Sequence, residues 1–264
     1  MKDIVKKLQG RVALVVGGGR GIGHGIVTCL AEAGADVAVA DIIYENAQKV
    51  AEEVKALGVK TIAIQVDVTQ ENQVQDMVRQ TVDRLGRLDI AVNDAGAASS
   101  KPVEELTEED WDFVFNVNAK GVFLCCKAEI PSMKKQNWGR IINVASVAGK
   151  EGCPNLAHYC ASKFAVVGFT NTLAKELART GITVNAICPG LVGTDLWLGP
   201  TGLAEKWKKP GETMEESWKR NHETLIPQGV PQTPKDMGDL AVYFALADHV
   251  TGQAVNVDGG YTFH

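Results

Sequence analysis

Seven short apolar runs constrain this chain more than any other feature: VALVV at 12–16, VAVA at 37–40, TIAIQV at 61–66, LDIAV at 88–92, RIINVA at 140–145, ITVNAI at 182–187 and AVNV at 254–257. They are nearly continuous in Val, Ile and Ala rather than alternating with polar residues, so both faces of each strand must be buried. Longer segments with helical periodicity lie between them, at 21–33, 46–57, 70–85, 108–135, 157–179 and 235–246. Strands alternating with helices require crossovers, and right-handed crossovers place helices on both faces of one parallel sheet. The pattern predicts an α/β protein with a Rossmann-type, doubly wound, three-layer fold. Its seven-stranded parallel sheet belongs to a single domain over residues 1–264.

Only residues 194–234 break the alternation. This stretch is rich in Pro and Gly and carries Trp197, Trp207 and Trp218. A long insertion at a strand end is expected to act as a substrate lid. A formal charge of −5 speaks against a nucleic-acid or anionic-membrane surface. No apolar run approaches the ~20 residues that span a bilayer. The N-terminus lacks a secretory apolar core. The six cysteines are scattered, with no C-x-x-C and no metal-ligand spacing, so reduced thiols, no metal and a cytoplasmic setting are expected.

The first apolar run leads into GGGRGIGHG at 17–25. Gly17, Gly21 and Gly23 are spaced G-x-x-x-G-x-G, a turn that lets backbone approach a pyrophosphate at a helix N-terminus. It is not a P-loop, because His24 and Gly25 stand where Lys and Ser or Thr would be needed. Asp41 closes the second run, where a carboxylate can accept hydrogen bonds from an adenosine ribose diol and repel a 2′-phosphate. That favours NAD over NADP; an acidic helix cap is the structural alternative. Asp67 and Asn93 end the third and fourth runs, at the strand ends where open sheets bind ligands.

Ser146 directly follows the fifth run, and the helical segment beyond it carries Tyr159 and Lys163 four residues apart, on one face. Strand, serine, loop and Tyr-x-x-x-Lys in this order resemble the short-chain dehydrogenase/reductase family, and the resemblance covers nearly the whole chain. The glycine turn, Asp41, Asp67-Val68, Asn93-Asp94-Ala95-Gly96, Asn118, Pro189-Gly190 and Thr194 also match. It implies cofactor contacts from Gly17, Arg20, Gly21, Ile22, Gly23, Asp41, Asp67, Val68, Asn93, Ala95, Gly96, Tyr159, Lys163, Pro189, Gly190, Val192 and Thr194. Tyr159 is expected to exchange a proton with the substrate oxygen. A phenol near pKa 10 is a poor donor and acceptor at neutral pH, and the Lys163 ammonium is expected to lower it. Ser146 would orient the substrate oxygen, and Asn118 is implied to hold a relay water. Ser146, Tyr159 and Trp197 are candidate substrate contacts. His158, about 100° round the helix from Tyr159, is expected to be structural or to face the lid.

Two departures stand out. Val16 replaces the Thr that usually precedes the first glycine, and Asp94 replaces the second Asn of N-N-A-G, so an amide donor is missing there. A serine hydrolase is excluded locally, because VASVA around Ser146 lacks the glycines of a nucleophile elbow. A dinucleotide-sensing protein would not need Tyr159 and Lys163. The resemblance further points to the branch acting on small polyols and acyloins, such as 2,3-butanediol and sorbitol dehydrogenases. A 3-oxoacyl-carrier-protein reductase and a hydroxysteroid dehydrogenase are the alternatives. It also implies a homotetramer paired through the segments 108–135 and 157–179.

Overall fold

The computed structural model describes residues 6–263. The strands are β1 (Val12–Val16), β2 (Asp36–Asp41), β3 (Thr61–Gln65), β4 (Ile90–Asn93), β5 (Gly139–Val144), β6 (Ile182–Pro189) and β7 (Ala254–Val257). They form one seven-stranded sheet in the order β3-β2-β1-β4-β5-β6-β7, and each neighbouring pair is parallel. Strand order reverses between β1 and β4, which opens a crevice at their C-terminal ends. Both faces are covered, as the unbroken apolar runs require. Leu14 and Val16 of β1 face α3 (Glu71–Leu85), α5 (Gly121–Gln136) and α6 (Ala157–Leu177). Ala13 and Val15 point the other way, toward α1 (Gly21–Glu32), α2 (Tyr44–Lys55) and α10 (Pro234–Leu246).

The helical periodicity over 108–135 resolves into two helices joined by a wider turn. α4 (Glu108–Phe115) begins at a capping box in which Thr107 and Asp110 satisfy each other's backbone N–H groups. It gives way to a π-helical turn at Asn116–Lys120 before α5 begins. Such widened turns re-aim side chains and recur at functional sites. Here the turn carries the fully buried Asn118.

The segment from Thr194 onward holds three helices, α7 (Asp195–Leu198), α8 (Leu203–Lys206) and α9 (Met214–Leu225). A second capping box, Thr213 with Glu216, starts α9. These helices share a small core with the body of the domain. Trp197, Leu203, Ala204 and Ile226 pack against Ala148, Leu156, Cys160 and Leu191, with Tyr159 at its border. No helix among the described residues is long and apolar enough to cross a membrane.

Candidate active site

The glycine turn sits at the reversal of strand order. Gly17 has φ of 82°, a left-handed conformation that a side chain disfavours, and an added Cβ would lie 2.7 Å from the Ala95 amide nitrogen. At Gly23 a Cβ would fall 2.1 Å from the Gly17 carbonyl oxygen. Bare backbone at both positions lets the turn, the start of α1 and the loop after β4 meet. The resulting concave wall, lined by helix N-terminal amides, fits a pyrophosphate. Arg20 reaches from this turn to Asp195 at 2.9 Å, so the turn and the first residue of α7 are joined across the cleft. A groove of about 470 Å³ opens on the outer side of this pair, lined among others by Arg20, Gly21, Thr194 and Asp195. Ile22, in the first turn of α1, packs against the inner core.

Asp41 is buried, and its two oxygens accept from the backbone amides of Gly19 and Ile43, each at 3.0 Å. It is not the cap of α2, whose N-cap is Ile43. The carboxylate therefore fixes the end of β2 to the glycine turn while lying where the second strand meets the cleft. Asp67 closes its own turn instead, accepting from the Thr69 amide at 2.9 Å and hydroxyl at 2.7 Å. Val68 is buried beside Gly121 on the α5 side.

The loop after β4 behaves differently at each residue. The Asn93 side chain turns down into the core, where its amide donates to Asn143 Oδ1 at 3.0 Å and to Glu129 Oε2 at 3.3 Å. Any cofactor contact at Asn93 is thus through backbone. Asp94 Oδ2 would lie 2.9 Å from a Cβ at Gly23, so the carboxylate abuts the glycine turn. Burial raises the Asp94 carboxyl above its ordinary range, against the pull of the Lys163 ammonium and of a Gly23 backbone hydrogen bond. Sequence reasoning read Asp94 only as a lost amide donor; the structure makes it a buried carboxyl that feels the Lys163 charge. Gly96 lies beside both Asn118 Oδ1 and Lys163 Nζ, 3.5 and 3.7 Å from where its Cβ would be.

Asn118 holds the loop to α6. Its Oδ1 accepts from the Ala97 amide at 2.8 Å; its Nδ2 donates to the Ala97 carbonyl at 2.9 Å and to Ser162 Oγ at 3.0 Å. Ser162 Oγ in turn donates to the Tyr159 carbonyl at 2.7 Å. Both amide hydrogens of Asn118 are used, which leaves one lone pair on Oδ1.

Ser146 follows β5 at the same edge, with Oγ accepting from the Ala148 amide at 3.1 Å. The Ser146 hydroxyl also pulls the Tyr159 phenol's pKa down. Burial works the other way and dominates, pushing Tyr159 up to about 12, with smaller contributions from Cys160, Asp94 and Cys153. The Lys163 ammonium lies 5.8 Å from the Tyr159 ring centroid and donates to the Val144 carbonyl at 2.9 Å. Burial lowers the Lys163 pKa and the Asp94 carboxylate opposes that shift. His158, fully buried, brings Nε2 within 2.7 Å of Ser99 Oγ.

On the opposite side, Gly190 donates to the Val257 carbonyl at 3.0 Å and follows Pro189, the last residue of β6. Val192 is buried and bridges to Gln232. The Thr194 side chain lies against Gly21, 3.3 Å from where its Cβ would be. Trp197 is 6% exposed, packed within the inserted segment edge-to-face with Trp207 and tilted against Trp218 at centroid distances of 5.3 and 5.2 Å. It shapes the wall around Tyr159 more than it offers free surface.

A profile described as short chain dehydrogenase matches residues 11–199. The chain is 38% identical over 251 residues to a 3-oxoacyl-acyl-carrier-protein reductase of Staphylococcus aureus, covering 94% of this chain and 96% of that protein. It is also 38% identical over 259 residues to L-2,3-butanediol dehydrogenase of Corynebacterium glutamicum, covering 96% and 99%. Among solved structures, a short-chain type dehydrogenase/reductase from Mycobacterium marinum superposes with a TM-score of 0.88 at 35% identity, covering 98% of each chain.

Proposed function

This chain belongs to the short-chain dehydrogenase family, an oxidoreductase that uses a nicotinamide dinucleotide on alcohol and carbonyl groups, and on that premise we propose that it interconverts a small secondary alcohol and its ketone with NAD(H). The observation that carries the reading is the meeting of Ser146, Tyr159 and Lys163 at the edge of the sheet, beneath an apolar, tryptophan-rich segment. The substrate we assign is a vicinal diol, hydroxyketone or short sugar alcohol.

The glycine turn, Asp41 and the loop from Asn93 to Gly96 would hold the dinucleotide, which supplies or accepts the hydride when bound. Ser146 donates a hydrogen bond to the substrate oxygen and orients it toward Tyr159. Tyr159 gives its phenolic proton to that oxygen as the carbonyl carbon is reduced, and takes a proton from the hydroxyl in the reverse direction. Lys163 places positive charge in a dry cleft, where it favours the phenolate. Asn118 keeps the loop and the first turns of α6 in register, through Ala97 and Ser162.

Asp41 supports NAD over NADP, since a 2′-phosphate brought to this buried carboxylate meets a like charge. Ile42, 60% exposed beside it, offers no cation to offset that repulsion. Exposed Trp111, Phe113 and Phe123 on α4 and α5, with Phe164 on α6, support pairing of these helices between copies in a homotetramer. Six free thiols fit a cytoplasmic setting.

The second reading is a 3-oxoacyl-carrier-protein reductase, favoured by the similarity to the S. aureus enzyme. Absorbance at 340 nm with acetoin, sorbitol and an acetoacetyl thioester, each with NADH and NADPH, separates the two. Fast turnover of acetoin with NADH is the expected result; preference for the thioester with NADPH overturns both the substrate and the cofactor assignment.

A further inference from the structure

The loop after β4 makes a contact that the reaction as described does not use. Trp207, at the end of α8, donates its indole N–H to Ser100 Oγ at 3.3 Å. This hydrogen bond runs from the inserted segment to the body of the domain, over the side of the cleft where α6 begins. Neither partner is free to drift. On the body side, the Asn118 amide clamps Ala97, His158 Nε2 meets Ser99 Oγ at 2.7 Å, and the Lys101 amide donates to the Asn155 carbonyl at 2.9 Å. Asn155 is one of two non-glycine residues with positive φ among those described, at 63°, so its carbonyl is aimed by a costly backbone conformation. On the lid side, Arg220 donates to the Trp207 carbonyl at 2.8 Å while its fork engages Glu212 at 2.8 and 2.9 Å.

A single hydrogen bond between two flexible loops would be weak and easily exchanged for water. Between two loops that are each held by several others, it fixes the distance between them. Trp207 and Tyr159 border the same apolar cluster, so the bridge is tied to the same packing as the phenol. We infer that the Trp207–Ser100 hydrogen bond is the size gate of the substrate pocket, a specificity determinant that admits short carbonyl compounds and rejects long-chain ones. A short hydroxyketone fits beneath the closed bridge; an extended acyl chain must break it.

This rests on the small-carbonyl reading above and is tested so that the two can fail separately. Trp207→Phe removes the indole donor and leaves a ring in the cluster, and Ser100→Ala removes the acceptor. With NADH, kcat/KM is measured for butane-2,3-dione and for octane-2,3-dione in both single variants and the double variant. Each single change is expected to raise the octanedione-to-butanedione ratio by about 3–10-fold, the equilibrium worth of one neutral hydrogen bond, with no further gain in the double variant. An unchanged ratio, or two gains that multiply in the double variant, overturns the gate. Hydrogen exchange of the protein alone needs no substrate. Both variants are expected to speed exchange at 97–101 and at 203–209 together, and unaltered exchange in either segment overturns the bridge even where neither dione is reduced.

Discussion

The Lys163 ammonium sits over the Tyr159 ring, 5.8 Å from its centroid, and makes its close hydrogen bond to the Val144 carbonyl. Charge placed over a ring acts on the phenol oxygen only at a distance. Burial consequently prevails and holds Tyr159 near 12, although the Ser146 hydroxyl pulls it down. The pull expected of Lys163 on the phenol is thus opposed by desolvation, of which the sequence carries no measure.

Tyr159→Phe removes the reacting oxygen and keeps the ring. Turnover should fall by about 10²–10⁴-fold, the usual worth of a positioned proton donor. NADH affinity, read from quenching of tryptophan fluorescence, should change little. Retention of most of the activity would place the proton donor elsewhere.

Asp41→Ala tests the cofactor assignment. Two unit charges about 4 Å apart near a protein surface repel by roughly 4 kcal/mol before salt screening, and a third of that is already about tenfold. The NADPH-to-NADH ratio of kcat/KM should rise by at least this factor. Absolute NADH affinity should drop as well, because the Gly19 and Ile43 amides lose their acceptor. A constant ratio would mean that Asp41 only braces the turn.

The strands were legible because burial on both faces leaves a continuous apolar run, as in IAVN of β4 or ITVNAICP of β6. Capping boxes such as Thr213 with Glu216 are also written locally. The π-turn at Asn116–Lys120 was not, since the extra residue is accommodated by the Asn118 contacts to Ala97 and Ser162, which are far away in sequence. Nor was Glu129. An acid on a helix normally faces water, and only the packing of α5 shows it buried beneath Asn93. The Ser99–His158 and Ser100–Trp207 contacts join residues far apart in sequence and left no spacing signal.

Asp89 tests the opposite edge of the sheet. Fully buried, it accepts from Arg11, from both sides of the Arg87 fork and from the Val12 amide. Asp89→Ala leaves the buried Val12 donor unpaired, while the Arg11 and Arg87 guanidinium groups, both part-exposed, pass to water. Chemical denaturation should show a loss of roughly 1–3 kcal/mol, the cost of one buried polar group without its partner. The KM for NADH of the folded fraction should stay put, since this edge is remote from the cleft. A loss of cofactor affinity matching the loss of stability would contradict that separation.

Glu129 makes stability depend on pH. Burial pushes its carboxyl from 4.5 up to about 8, and the Asn93 hydrogen bond offsets only part of this. Its neighbours Cys125 and Cys126 are thiols whose own pKa values burial, and after it the carboxylate, drive upward. The folded state therefore binds the Glu129 proton more tightly than the unfolded chain does. The resulting stabilisation is complete below about 4.5 and is lost as pH rises through about 8. Glu129→Gln has no proton to lose and keeps a donor in the same place. Thermal melts of the two proteins should converge near pH 5 and separate steadily toward about pH 9, with the Gln variant the more stable at the alkaline end. Parallel curves across that range would mean that Glu129 is ionised in the fold, which requires a cation beside Asn93.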